Sequence, residues 1–278
     1  MRRILTALLL LGALTACSAQ PAGSPAPSAP DSPSAAPEAS PASTPTEHWW
    51  ADLTAEDLPA EVTDAADVVA GSGAVYLLSE LPEEDIALYG YGSDTLTGVL
   101  LRRGEDLTHL DQPYLATENP AAPELWWDDF DGDGENELAV LYLLVNHAQQ
   151  HLVQPHFYSP DGAGWEDQAL DLDAQVEALL ADMTCTFDTD SGMVQVTCGA
   201  LSTSAYLEEL DAPLSANPLS AGESVFFRRS GTAITAVLPL SLNSSGQSMV
   251  FANAICSLTF GADGPALTLE ALETLYGA

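Results

Sequence analysis

Trp126-Trp127-Asp128-Asp129-Phe130-Asp131-Gly132-Asp133-Gly134-Glu135-Asn136-Glu137-Leu138-Ala139-Val140-Leu141-Tyr142-Leu143-Leu144-Val145 is the stretch on which the fold turns. Its second half, Leu138 to Val145, is apolar or aromatic at every position. A strand with one wet face alternates apolar and polar side chains. A run without alternation therefore predicts a strand covered on both faces, at the centre of a sheet. The first half is an acidic, glycine-broken turn leading into that strand.

Working outward, Ala74 to Leu78, Asp85 to Tyr91 and Thr97 to Arg103 are short runs of Val, Leu, Ile and Tyr, punctuated by Pro82, the turn from Gly90 to Asp94, and Gly104. They predict a meander. Ahead of them, Thr54 to Ala70 reads as one or two short helices ending at Gly71 and Gly73. Downstream, Leu152 to Tyr158 is a further strand before Ser159-Pro160-Asp161-Gly162. Leu172 to Met183 carries Val176, Leu179 and Leu180 at helical spacing. Val225 to Arg229, Ala233 to Leu242, Met249 to Phe260 and Ala266 to Leu272 complete a strand-rich C-terminal part. The expected class is mainly β (α+β), with antiparallel sheets and meanders, a few short helices and one DxDxDG strand-loop-strand unit. No repeat of fixed period is visible.

Between Thr184 and Thr197, alternation flanks Ser191-Gly192. A two-residue turn there would set Phe187 opposite Val196 and Cys185 opposite Cys198, predicting a cross-strand disulfide. Cys256, inside an apolar run, reads as a small buried hydrophobe.

The N-terminus has a different character. Arg2 and Arg3 precede the apolar run Ile4 to Leu14, and Leu14-Thr15-Ala16-Cys17 follows. That order is a secretory signal, and its apolar run is too short for a permanent transmembrane helix. Leu14-Thr15-Ala16-Cys17 resembles the bacterial lipobox, which implies cleavage before Cys17 and attachment of a diacylglyceryl group to its thiol. From Ser18 to Thr46 the chain is almost entirely Pro, Ala, Ser and Thr, a composition too poor in apolar bulk to order itself. The expected organisation is a signal peptide over 1–16 and a lipidated Cys17 with its tether over 17–46. A β-rich region with the acidic loop over 47–183 and an antiparallel region over 184–278 would pack together as one globular unit. The expected location is the outer side of the cell membrane.

Charge narrows the partners. The formal net charge is -35, there is no lysine, and Arg102, Arg103, Arg228 and Arg229 are the basic side chains past the signal. Nucleic-acid affinity comes largely from Lys and Arg displacing counterions, so that class is excluded.

The acidic turn is suited to a hard cation. Asp129, Asp131 and Asp133 stand at loop positions one, three and five, and Gly134 permits a sharp bend at position six. Glu135 would offer its carbonyl at position seven and Glu137 its carboxylate at position nine. The stretch looks like the DxDxDG calcium loops of EF-hands, dockerins and FG-GAP or VCBS-type β-propeller blades. An EF-hand has an acid at position twelve and flanking helices. Here Val140 stands at twelve between strand-like segments, so the similarity is to the FG-GAP-like unit. It implies calcium in a structural role.

Other chemistry is thinly represented. His147, His151 and His156 lack HExxH spacing or a cysteine pair and read as edge or surface residues. No GxSxG elbow occurs, and a Ser-Lys pair is impossible without lysine. Trp49, Trp50, Trp126, Trp127 and Trp165 serve as core or as a sugar-stacking face. The leading expectation is a non-enzymatic, surface-anchored lipoprotein that binds an extracellular ligand or protein. The alternative is a cell-envelope carbohydrate or peptidoglycan hydrolase using paired carboxylates.

Overall fold

The computed structural model describes Trp50 and residues 53–275, apart from 69–73, 94–95, 111, 116–117, 149, 163, 208–213, 223, 245–246 and 262–263. Cys17, the apolar N-terminal run, the tether, Trp49, Gly71 and Gly73 lie outside the described residues. The elements below fall within one unit, Glu47–Ala278.

The central strand is where its composition places it. β6 (Glu137–His147) is buried at each of its first seven residues. Its neighbours are β5 (Glu124–Asp128) on one side and β7 (Gln150–Asp161) on the other, with β8 (Gly164–Asp167) beyond β7. All are antiparallel. Leu138, Val140 and Tyr142 point to one face of this sheet, and Ala139, Leu141 and Leu143 to the other. With apolar residues on both faces, polarity alone cannot choose the register, so the turn and the neighbouring strands must.

On the first face, Leu138, Val140, Tyr142 and Tyr158 meet Leu78, Ile86, Leu88, Val99 and Leu101. These belong to the predicted meander, a four-stranded sheet of β1 (Val75–Leu81), β2 (Ile86–Ser93), β3 (Leu96–Arg103) and β4 (Asp106–Leu110). The outer face of the meander carries Leu77, Ala87, Tyr89 and Leu100, covered by Leu58 with Trp50 and Leu53. This covering segment is less helical than expected, with single 3-10 turns at Ala55–Asp57 and Ala65–Asp67. Pro59 supplies the reason: a residue before proline is pushed out of the helical region, and Leu58 is extended at φ -88°, ψ 143°.

The second face of β6 meets the C-terminal part. There β12 (Leu214–Ala221), β13 (Phe226–Ser230), β14 (Ala233–Ser244), β15 (Gln247–Gly261) and β16 (Gly264–Thr274) form a five-stranded sheet. Helix α1 (Leu172–Ala181) and a three-stranded sheet of β9 (Thr184–Asp188), β10 (Met193–Cys198) and β11 (Leu201–Tyr206) contribute to the same core. Asp171 caps α1, accepting from the Ala174 N–H at 3.1 Å. One edge of β14 is shared: β13 pairs up to Val237 and β12 resumes at Leu240. Pro239 lies in the gap, with no N–H to donate, and its carbonyl accepts from Gly222.

The expected disulfide is corrected: Cys185 and Cys198 are free thiols. The chain reverses over four residues, Thr189 to Gly192, rather than two, so Asp188 pairs with Met193 and Cys185 faces Val196. Cys198 pairs with Leu201 on the other neighbour, β11. The Asp188 carboxylate sets this longer turn by accepting from the Asp190 N–H at 3.0 Å and the Ser191 hydroxyl at 2.6 Å. A slip of two keeps the faces and moves the sulfurs apart along the strands. Burial pushes the Cys185 thiol up to about 11 and the Cys256 thiol to about 12, so neither is a ready thiolate. Cys256 is fully buried, as its apolar surroundings suggested.

Candidate metal centre

The acidic loop joins β5 to β6, which pair as a hairpin with Asp128 opposite Glu137. Two glycines let the backbone turn inside it: Gly132 at φ +81° and Gly134 at φ +96°. The carboxylates then organise their own loop. Asp129 accepts from the Gly132 N–H at 2.7 Å with one oxygen and from the Gly134 N–H at 3.1 Å with the other. Asp131 accepts from the Asp133 N–H at 2.9 Å, and Asp133 from the Glu135 N–H at 2.7 Å. Glu137 reaches back from the start of β6 to accept from the Phe130 N–H at 2.8 Å.

Three of the four carboxylates expected as ligands come together. Asp129, Asp131 and Glu137 each place a carboxylate oxygen within 4.8 Å of the others, a group that could hold a metal ion. It is the one such group of three acids, histidines or cysteines among the described residues. The Asp133 carboxylate stands outside it, exposed on the loop, and Glu135, expected to offer its carbonyl rather than its side chain, is exposed beside it. Like charges this close repel by about 0.9 kcal/mol per pair even at the dielectric of water. Glu137 registers that environment. It is 3 % exposed, and burial raises its pKa, aided by Asp131 and Asp133 and opposed by the N–H groups of Phe130 and Asp131.

The loop is also wedged into the core. Phe130 stacks on Phe260 at 6.4 Å between ring centroids and meets Phe157 edge-on at 6.3 Å, joining β7 to β15. Arg229 of β13 bonds Asp128 and lies 5.6 Å from the Phe130 ring. Composition offered no sign of this clamp, because Asp128 and Arg229 are 101 residues apart.

The histidines divide differently from expectation. His156 is not a surface residue: it is 2 % exposed, and its Nδ1 lies 3.0 Å from both Asp167 carboxylate oxygens. Tyr142 and Tyr158 pack around it, with hydroxyls 3.3 Å apart. His147 pairs with Gln150 and His151 with Asn146, successive register positions at the end of the β6–β7 hairpin that put the two rings on opposite faces; His151 bonds Asn146 and stacks on Phe226 at 5.3 Å. The tryptophans do not share one face. Trp126 packs into the core toward the C-terminal sheet, while Trp127 and Trp165 meet edge-on at 6.0 Å near Arg103. Trp50 stacks on His109 at 4.2 Å.

Comparison of the chain with protein-family models, with curated proteins and with solved structures found no match.

Proposed function

We propose that this chain is an exported module, anchored to the outer side of the membrane by lipid on Cys17, whose β5–β6 loop holds calcium as a structural ion. In this reading it works by binding a partner, not by catalysis. The observation that carries the metal half is the meeting of Asp129, Asp131 and Glu137 oxygens within 4.8 Å on a glycine-relaxed turn. All the donors are oxygens, several are charged, and two of the three acids are accessible, which suits calcium better than a thiolate- or imidazole-loving metal. Phe130 and Arg229 give the ion a purpose: stiffening the loop would secure the contact between two sheets. The anchor rests on the Arg-rich start, apolar run and Leu14-Thr15-Ala16-Cys17 order.

Thermal melts with calcium and with chelator test the ion. At calcium equal to Kd, and then tenfold above it, linkage gives about 0.4 and 1.4 kcal/mol, or roughly 1 to 5 °C for a unit of this size. No shift in the wild type would remove the metal. Metabolic labelling with a fatty-acid probe tests the anchor, and label persisting in Cys17→Ala would remove it.

A second reading is favoured by the same carboxylates. Glu137 is buried with a raised pKa beside two other acids, the combination a glycosidase uses for its general acid and nucleophile, typically about 5–5.5 Å apart in retaining enzymes. Against it, Glu137 is turned inward onto the Phe130 N–H, and two cavities beside α1, of about 360 and 490 Å³, are lined by other residues. Turnover of a peptidoglycan or β-glycan substrate, abolished in Glu137→Gln, would establish the hydrolase and displace the binding module.

A further inference from the structure

β7 has an edge that its own sheet leaves half covered. β8 pairs with Tyr158–Asp161 of this twelve-residue strand. One further bond, from the Gln168 N–H to the Phe157 carbonyl at 2.7 Å, follows before the chain leaves toward α1. From Gln150 to His156, β7 has β6 on one side and, among the described residues, no strand of its sheet on the other. The His151 N–H, which donates to the Ser224 hydroxyl oxygen at 3.0 Å, and the Phe157 carbonyl both point away from β6. Strand alternation puts the N–H and carbonyl of Val153 on that side too, together with the Pro155 carbonyl.

A groove lies along this edge. One cavity of about 360 Å³ includes Leu152, Val153, Gln154, Leu170, Leu172 and Asp173 in its lining. Another, of about 490 Å³, includes Leu152, Leu172, Asp173, Val176, Glu177 and Val225. Leu152, Leu172 and Asp173 belong to both, so the two form one trough between β7 and α1. Its floor is apolar and one wall is acidic. Asp173 and Glu177 are exposed one helical turn apart, an arrangement that weakens a helix through like-charge repulsion. No arginine lines either cavity: Arg102 and Arg229 are engaged with Asp85 and Asp128, and Arg103 lies over Trp127 and Trp165.

We propose that this trough takes an extended, basic and apolar peptide, which adds to the open edge of β7 as a short strand. Its backbone bonds Val153 and the Pro155 carbonyl, alternate apolar side chains sit over Leu152, Leu172 and Val176, and a lysine or arginine faces Asp173 and Glu177. Edge addition supplies affinity through main-chain bonds, and the side-chain pockets supply selectivity. The charge pattern chooses a cationic partner over an acidic one. The inference rests on the binding-module reading above and is independent of the acidic loop.

Fluorescence anisotropy of the full chain with a labelled pentapeptide alternating valine and lysine tests it. The expected result is saturable binding with a Kd on the order of 10–100 μM, a range ordinary for a small, partly wet interface. Asp173→Asn combined with Glu177→Gln weakens it at least tenfold. Glu83→Gln combined with Glu84→Gln, the same charge change on exposed residues elsewhere, moves it less than twofold. Methylating alternate peptide amides abolishes binding. Equal weakening by both double variants, undiminished binding of the methylated peptide, or no saturation up to 1 mM overturns the proposal. The variants change exposed residues, and unchanged melting temperatures show that they fold. Peptide affinity is the same in calcium and in chelator, so this test and the calcium melts fail separately. Peptide recovered cut rather than intact would overturn the binding-module reading itself.

Discussion

Two acidic turns in this molecule start from the same chemistry and end differently. In the β9–β10 turn, Asp188 spends its carboxylate on the Asp190 N–H and the Ser191 hydroxyl, and those bonds hold its pKa below the usual value. In the β5–β6 loop, Asp129 and Asp131 make similar local bonds, yet they are joined by Glu137, which is buried and whose pKa is raised. The first turn is satisfied by its own atoms. In the second, burial and the neighbouring acids outweigh the N–H bonds at Glu137. The lesson is that alternating acids close a turn in either case, and a buried acid arriving from the next strand is what makes a candidate cation site.

The largest expected difference is in packing. Phe130→Ala removes the ring between Phe157 and Phe260 and should cost about 2–3 kcal/mol, somewhat below a fully buried Phe because Phe130 is partly exposed. Thr189→Ala in the other turn should stay within about 0.5 kcal/mol. Urea denaturation of the two variants checks this, and a near-neutral Phe130→Ala would mean that the loop is not tied to the core.

Backbone strain comes next. Gly192 sits at φ +69°, and a Cβ there would lie 2.9 Å from the Tyr206 ring. Gly134 sits at φ +96° with nothing within 4 Å of the added atom. Gly192→Ala should therefore cost about 2 kcal/mol and Gly134→Ala about 1 kcal/mol, the second from left-handed backbone alone. Melting the pair side by side separates steric from conformational cost.

Calcium should distinguish the turns by a few degrees. The melting temperature rises with calcium in the wild type and in Asp190→Asn, and the rise disappears in Asp131→Asn. A rise that survives Asp131→Asn would place the ion elsewhere.

The smallest effect is in pH, where the two turns have opposite signs. The raised pKa of Glu137 means that the metal-free protein loses stability as pH climbs from the ordinary glutamate value through the raised one. The lowered pKa of Asp188 means that its contribution is present above the ordinary aspartate value and is lost as pH falls through the lowered one. Denaturation across pH 3 to 7 in chelator should flatten the first slope in Glu137→Gln and the second in Asp188→Asn. In calcium the first slope should reverse, because the ion requires the ionised carboxylate.

Much of the β architecture was legible because each clue was local. The unbroken apolar run announced a strand buried on two sides, and β6 is one. The meander and the long C-terminal strands followed from short β-rich runs between turn residues. β4, β8, β11 and β12 escaped, being short or polar and without clear alternation. The disulfide failed for a related reason. A turn's length is decided by hydrogen bonds such as those of Asp188, and two extra residues are enough to part Cys185 from Cys198. His156 was misplaced because a histidine carries no mark of burial until its partner is known, and Asp167 is supplied by a neighbouring strand.

By itself, then, the sequence determined the β-rich class, the doubly covered central strand and a glycine-relaxed acidic turn before it, since these depend on side-chain type and spacing within a few residues. Tertiary structure decided that Glu137 rather than Asp133 completes the acid triad, that Arg229 and Phe260 grip the loop, and that part of β7 has, among the described residues, no strand paired to its edge beside α1. Those outcomes depend on which strands become neighbours, and that choice is made by burying all the apolar faces together rather than by any one segment.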